Sequence, residues 1–345
     1  MHTFSGLLKP ANDESLSSWL TRMHEKGYLD TAFRSEAQRL ADKDVLAGGD
    51  LDLLYKSNAF LGMFTADQQT HLIKHFHLWE SEGTPLGFRD KYCRECFMND
   101  IRALQMPIWR KSWRLSGACV CSLHRRPVLL SQLVTRQADL SNQGWQAFKE
   151  YLESPSSRLG VDFTLTRVTP QVASVNNTKL LLMTQRVQRW YQAALFKGVL
   201  DDHAGRALQF LMGLWLHPSA WPNLSPGIAR TYFHTRLSNL PLVQAADRIT
   251  SPELSLGVAA PRDIAVAYWM MGVSYGLVSH AEAELINKIV RYKVLSLPTT
   301  KNQVAAVTTR NYWSTGLEKL WGEAKASLTE SEFNSVSWVF SSGAD

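Results

Sequence analysis

Tyr92-Cys93-Arg94-Glu95-Cys96 is followed, after 24 intervening residues, by Cys121-Ser122-Leu123-His124. The reading of these two pairs decides how the chain folds. Two residues between ligands let a tight turn aim both side chains at one ion, and zinc favours four such ligands in a tetrahedron. The chain has four cysteines, all between Cys93 and Cys121. A disulfide framework would spread its bridges along the sequence, whereas clustered CxxC and CxxH pairs favour a metal. The competing reading is a set of unmetallated buried thiols with a surface histidine. Cys119 rivals Cys121 as a ligand, but only Cys121 has a histidine three residues on, and Cys119 reads as a small buried residue.

Cys93, Cys96, Cys121 and His124 together would leave a tetrahedral ion no open position, which favours a structural role over a catalytic one. Other chemistries lack their residues. A zinc deaminase needs an H-x-E element upstream of its P-C-x-x-C, and none is present. The H-E-x-x-H of metalloproteases and the GxxxxGK[ST] loop of ATPases are also absent. Asp201-Asp202-His203 invites comparison with a transposase-type carboxylate set, but reads more simply as a helix N-terminus.

Positive charge is local. Between Arg89 and Arg126 there are nine Lys/Arg and three acids, a balance of +6 that equals the formal net charge of the whole chain. Trp109-Arg-Lys-Ser-Trp113-Arg interleaves bases with aromatics. One reading is a contact for a phosphate backbone or an acidic protein surface, made by Arg110, Lys111 and Arg114 with Arg125 and Arg126. The other is two core tryptophans with arginines on the wet side.

The 345 residues are 45% hydrophobic with twelve tryptophans, ample for a core and two or three domains. No secretory leader and no apolar run long enough to span a bilayer is visible, so a cytoplasmic protein without a membrane partner is expected. Periodicity predicts a mostly α-helical fold. Residues 13–26 place Leu16, Trp19, Leu20 and Met23 on one face, with Asn12 or Asp13 as N-cap. Thr65-Ala-Asp-Gln68 fits a capping box, with Leu72, Ile73 and Phe76 behind it. Gly83-Thr-Pro-Leu-Gly87 reads as a linker. Trp145, Phe148 and Leu152 form a stripe, and a short strand is expected at Val161–Leu165.

Helices are expected over about 179–197, with Leu180, Met183, Val187, Trp190, Tyr191 and Ala194 inward, and over about 203–216, with Leu208, Leu211, Met212 and Trp215 inward. His217 to Pro226 is a proline-rich connection. Pro261 opens a further helix, which Gly272 is expected to end. Ser279-His-Ala-Glu282 caps another, running to about Leu295. The last two suggest a helix-turn-helix, although the turn is long and Tyr268 occupies a position usually small. The expected division is a helical N-terminal domain at 1–88, a zinc-finger module at 89–130 and a helical C-terminal domain at 131–345.

Three segments resemble the TniQ family, which includes the TniQ and TnsD target-selection proteins of transposons. They are Pro10 with Glu14-Ser-Leu-Ser-Ser-Trp19-Leu20-Thr-Arg22; Tyr92-Cys93-x-x-Cys96; and Trp109-Arg-x-x-Trp113-Arg114-Leu115 with Val120-Cys121-x-x-His124 and Leu129-Leu130. They cover roughly residues 10–130. Arg94 stands where the family often has proline, and no cysteine after Cys121 could build a second zinc site. The resemblance implies a bacterial adaptor without catalytic activity that binds Zn²⁺, marks a target and recruits an AAA+ ATPase and a transposase. Shorter members dock on a CRISPR RNA-guided effector complex, often as a dimer, instead of reading DNA. A direct DNA-binding regulator with a C-terminal helix-turn-helix and a zinc hydrolase are the rival readings.

Overall fold

The computed structural model describes residues 6–43, 49–77, 89–133, 143–153, 170–197, 204–217, 226–233, 255–257, 259–290, 295–311 and 314–340. They are mostly helical, with strands of only two residues. The chain forms two compact units, one of residues 1–115 and 132–157, the other of residues 116–131 and 158–345. Among the described residues no helix is long and apolar enough to cross a membrane. The expected linker at 83–87, the strand at 161–165, Asp201-Asp202-His203 and residues 218–225 of the proline-rich connection lie outside the described residues.

The first unit starts with α1 (Leu16–Glu25), whose Leu16, Trp19, Leu20 and Met23 are buried as the spacing requires. The cap differs from expectation. Ser15 holds the N-cap and accepts from Ser18 N. Asp13 is engaged elsewhere: its backbone is left-handed (φ 59°), and its carboxylate accepts from the Ser112 hydroxyl at 2.5 Å. Helices α2 (Thr31–Lys43), α3 (Asn58–Leu61) and α4 (Ala66–Phe76) follow, with a 3-10 turn at Leu51–Lys56. The capping box at Thr65 and Gln68 forms, and Leu72 and Phe76 are buried. Ile73 is 40% exposed, because it lies about 100° around the helix from Leu72. The Phe76 ring packs 5.3 Å from Trp19.

Beyond strand β1 (Lys91–Tyr92), α5 (Arg94–Leu104) packs with α6 (Gln143–Glu153). The Trp145–Phe148–Leu152 stripe is not the buried face of α6: Trp145 is 39% and Leu152 53% exposed. Gln143 and Ala147 are buried instead. A Cβ on Gly144 would sit 3.3 Å from Pro107 O, so this small-residue face lets the helix approach closely.

In the second unit, α7 (Pro170–Lys197) packs on α8 (Ala204–Trp215) and on α10 (Pro261–Ser274), with the short α9 (Ile228–Thr231) beside them. The predicted inward residues of α7 and α8 are buried, except that Trp190 is partly so. Helix α10 is buried on nearly every side, as expected of a core helix that is apolar all round. Its Trp269 indole donates to Thr184 Oγ1 at 2.8 Å, and Trp215 donates to Thr308 Oγ1 at 2.9 Å.

Gly272 does not end α10, which continues to Ser274. A Cβ there would meet Val278 Cγ2 at 2.4 Å and Val187 Cγ2 at 2.9 Å, so this glycine admits neighbours rather than stopping a helix. The capping box at Ser279 and Glu282 opens α11 (His280–Ile289). This helix stops short of Leu295 because Val290 turns extended, while the Asn287 amide bonds Leu297 N and O at 2.7 and 2.8 Å. The exposed side of α11 carries His280, Glu284 and Lys288, a mixed-charge face ill-suited to phosphate. Helices α12 (Lys301–Asn311), α13 (Ser314–Ser327) and α14 (Glu330–Val336) complete the unit.

Gly272→Ala gains about 1 kcal/mol in helix propensity. Overpacking against Val278 and Val187 costs about 1–3 kcal/mol. The variant should therefore be less stable in urea denaturation of the full chain. A gain in stability would show that Val278 and Val187 give way at no cost.

Candidate metal centre

Cys93 is extended (φ −103°, ψ 114°), occupies the N-cap of α5, and is followed by Cys96 in that helix's first turn. Unpaired N–H groups at a helix N-terminus favour thiolate. Beneath this turn lies an aromatic cluster. Tyr92 stacks on Phe97 at 5.2 Å, Phe97 meets Trp113 edge-on at 5.3 Å, and Trp109 meets Trp113 edge-on at 5.5 Å. Both tryptophans are buried, so they serve the core.

The second pair sits on a two-stranded ribbon. Strand β2 (Val120–Cys121) runs antiparallel to β3 (Val128–Leu129), with Cys121 opposite Val128. Cys121 is buried, His124 is half-buried in the connecting loop, and Ser122, Leu123, Arg125 and Arg126 are exposed. Cys119 is fully buried, and its thiol donates to Gln188 Oε1 at 3.3 Å. It reads as the small buried residue expected.

Ligand atoms of Cys93, Cys96, Cys121 and His124 lie within 4.8 Å of one another. A tetrahedral zinc with bonds of about 2.3 Å to sulfur sets ligand atoms about 3.8 Å apart, so small side-chain adjustments close the set. Among the described residues this is the one group of three or more such side chains able to hold a metal ion. Three soft thiolates and an imidazole suit a zinc-like ion, and four protein donors fill its tetrahedron.

The basic residues are not arranged as expected. Arg114 is 3% exposed, with ion pairs of 3.1 Å to both Asp50 and Asp52. Arg89 joins the same two carboxylates, and Asp52 Oδ1 also accepts from Ser17 N at 2.7 Å. Arg110 is 7% exposed, pairs with Asp100, and donates to Asn12 O at 2.5 Å. Lys111 is half-buried and donates to His75 O. Arg110, Lys111 and Arg114 therefore do not form the outward contact surface anticipated for them. Their charges are spent on internal acids and carbonyls, since a buried cation without a partner is costly. Sequence inspection missed Asp50, Asp52 and Asp100 because nothing in their local spacing announces a partner. Arg125 and Arg126 do face solvent.

Burial alone would raise the Asp50 carboxyl. The Arg89 hydrogen bond and the charges of Arg89 and Arg114 outweigh it and hold Asp50 below the usual carboxylate range. A depressed native pKa stabilises the fold above the unfolded value of about 4, and that stability is lost as pH falls through the native value. Wild type should lose stability on acidification below about pH 4 more steeply than Asp50→Asn; parallel curves would remove Asp50 from the ledger. Arg114→Ala should cost about 3–5 kcal/mol in denaturant unfolding, because it breaks a buried network from one side. A near-neutral result would mean that Asp50 and Asp52 are satisfied by Arg89 alone.

The ligand set is tested by metal content. Cys121→Ser should lose the ion and Cys119→Ser should keep one equivalent per chain. The reverse pattern would exchange their roles.

No curated protein and no solved structure matches the chain. The model of the TniQ family matches residues 7–128. This stretch contains α1, the first cysteine pair, the aromatic cluster and the second pair, and leaves out only Leu129-Leu130 of the resembling segments. In α1 the resemblance has a physical basis: buried Glu14 pairs with Arg22 at 2.7 Å, and the Trp19 indole donates to Leu8 O at 2.8 Å. Over residues 7–128, the chain is similar to the TniQ family.

Proposed function

We propose that the chain is a non-catalytic target-selection adaptor in transposition, with Zn²⁺ held by Cys93, Cys96, Cys121 and His124 as a structural ion. The observation that carries this reading is the coincidence of the TniQ match with a four-donor cluster. Four protein ligands leave no position for a reacting water, which separates this reading from a zinc hydrolase. In this role the chain works in the bacterial cytoplasm as a homodimer. It joins a marked target, either DNA or a CRISPR RNA-guided effector complex, to an AAA+ ATPase and the transposase assembly.

Arg125 and Arg126 are the residues we assign to a negatively charged partner. They are exposed, adjacent and next to ligand His124, so a bound ion would fix the loop that presents them. The direct-regulator reading is weaker, because the exposed face of α11 mixes acids with bases.

The test is reconstitution. The 345-residue chain should capture a transposition AAA+ ATPase and a transposase and show no turnover alone. Arg125→Glu/Arg126→Glu should keep its melting temperature and metal while weakening binding to nucleic acid or effector complex, with a deficit that shrinks as salt rises. Hydrolysis that survives purification and vanishes with one carboxylate substitution would overturn the reading.

A further inference from the structure

Strand β2 has one partnered edge and one open edge. On the partnered side, Leu130 N donates to Cys119 O at 2.8 Å, continuing the ribbon with β3. Val120 turns its N–H and C=O the other way, where an isolated two-stranded ribbon would expose or orphan them. In this protein the side-chain amide of Gln188, on α7, occupies that edge. Its Oε1 accepts from Val120 N at 2.9 Å, and its Nε2 donates to Val120 O at 2.9 Å. Both bonds fall on one residue, as in the paired rung of an antiparallel sheet. Oε1 also accepts from Cys119 N at 2.9 Å. Gln188 thus acts as the third strand that the ribbon lacks.

A second clamp lies just upstream. Tyr268, on α10, donates to Gly117 O at 2.8 Å. Gly117 is left-handed (φ 74°), and a Cβ there would fall 2.4 Å from the Tyr268 hydroxyl and 3.2 Å from Tyr191 Cε1. The chain therefore enters β2 at a point fixed by α10, and Val120 is then held by α7. The next residue is Cys121, and His124 follows three residues later. Gln188 and Tyr268 lie well beyond residue 128, where the family match ends.

We propose that Gln188 is a positioning residue for the metal site, fixing the Cys121–His124 half by closing the open edge of β2, with Tyr268 setting the entry. This rests on the metal reading of the four-donor cluster. Groups that orient metal ligands typically matter by about 10–100-fold in metal affinity. Gln188 acts through the backbone of the adjoining residues, so the lower end applies.

The experiment uses the full-length, zinc-loaded chain and a chromogenic chelator that reports the rate of zinc release. Gln188→Met keeps the length and removes every hydrogen bond, and should release zinc about tenfold faster. Gln188→Glu keeps the acceptor for two N–H groups but loses the donor to Val120 O, and Tyr268→Phe loses only the bond to Gly117. Both should fall between wild type and Gln188→Met, and they read the same effect if the methionine variant does not fold. Thr308→Val is the control, because it unpairs the Trp215 indole in the same unit without touching residues 116–131. It should lower the melting temperature and leave zinc release unchanged. Release at the wild-type rate from the Gln188 variants, or equally fast release from Thr308→Val, would overturn the inference. A wild-type chain that takes up no zinc would overturn the metal reading and this inference together; loaded wild type with unaffected variants overturns this one alone.

Discussion

Four side chains from two short turns, separated by 24 residues, must meet within 4.8 Å. Much of the surrounding structure serves that convergence. One pair is fixed by the start of α5 and the aromatic cluster under it. The other is fixed by a ribbon of two-residue strands. Neither a helical turn nor so short a ribbon is stable alone in water. Each borrows rigidity: the turn from Tyr92, Phe97, Trp109 and Trp113, the ribbon from Gln188 and Tyr268. A bound ion would add free energy that the unfolded chain lacks, which is how a small, polar-backed site becomes a fixed part of a fold.

The charge of the basic segment has a different meaning from the one its composition suggests. Arg89, Arg110 and Arg114 are neutralised by Asp50, Asp52 and Asp100 inside the first unit. Buried networks of this kind add little net stability over apolar packing, but they penalise any arrangement that leaves one member unpaired. They therefore specify how the N-terminal helices meet the segment around Trp109. The bond from Ser15 N to Trp109 O, at 3.0 Å, and the Asp13–Ser112 contact lie at the same seam. Arg102, Arg125 and Arg126 of this segment are exposed, and the last two adjoin His124.

How much the sequence reveals depends on whether the signal is local. The α1 stripe, the capping boxes at Thr65 and Ser279, and the inward faces of α7 and α8 follow from spacing within a single turn or helix, and they are correct. The four candidate ligands are legible because residue type and interval are local signals, and the structure brings their donor atoms within 4.8 Å of one another. Failures arise where the deciding partner is distant. Arg114 looks like a surface base until Asp50 and Asp52, more than sixty residues away, close over it. Gly272 looks like a stop until Val278 and Val187 show that it is a gap in a packed face. Trp145 and Leu152 look like core until Gly144 and Ala147 prove the better contact. Gln188 carries no signal at all, since one buried glutamine in a helix resembles any other.

The most direct test of a closed, four-ligand structural centre is the visible absorption spectrum of the full-length chain loaded with Co²⁺ in place of zinc. A Cys₃His set should give intense tetrahedral ligand-field bands and thiolate-to-cobalt charge transfer, saturating at one ion per chain, with no change on adding anions that coordinate an open position. Weak bands of a six-coordinate ion, anion-dependent shifts, or no uptake would contradict the account.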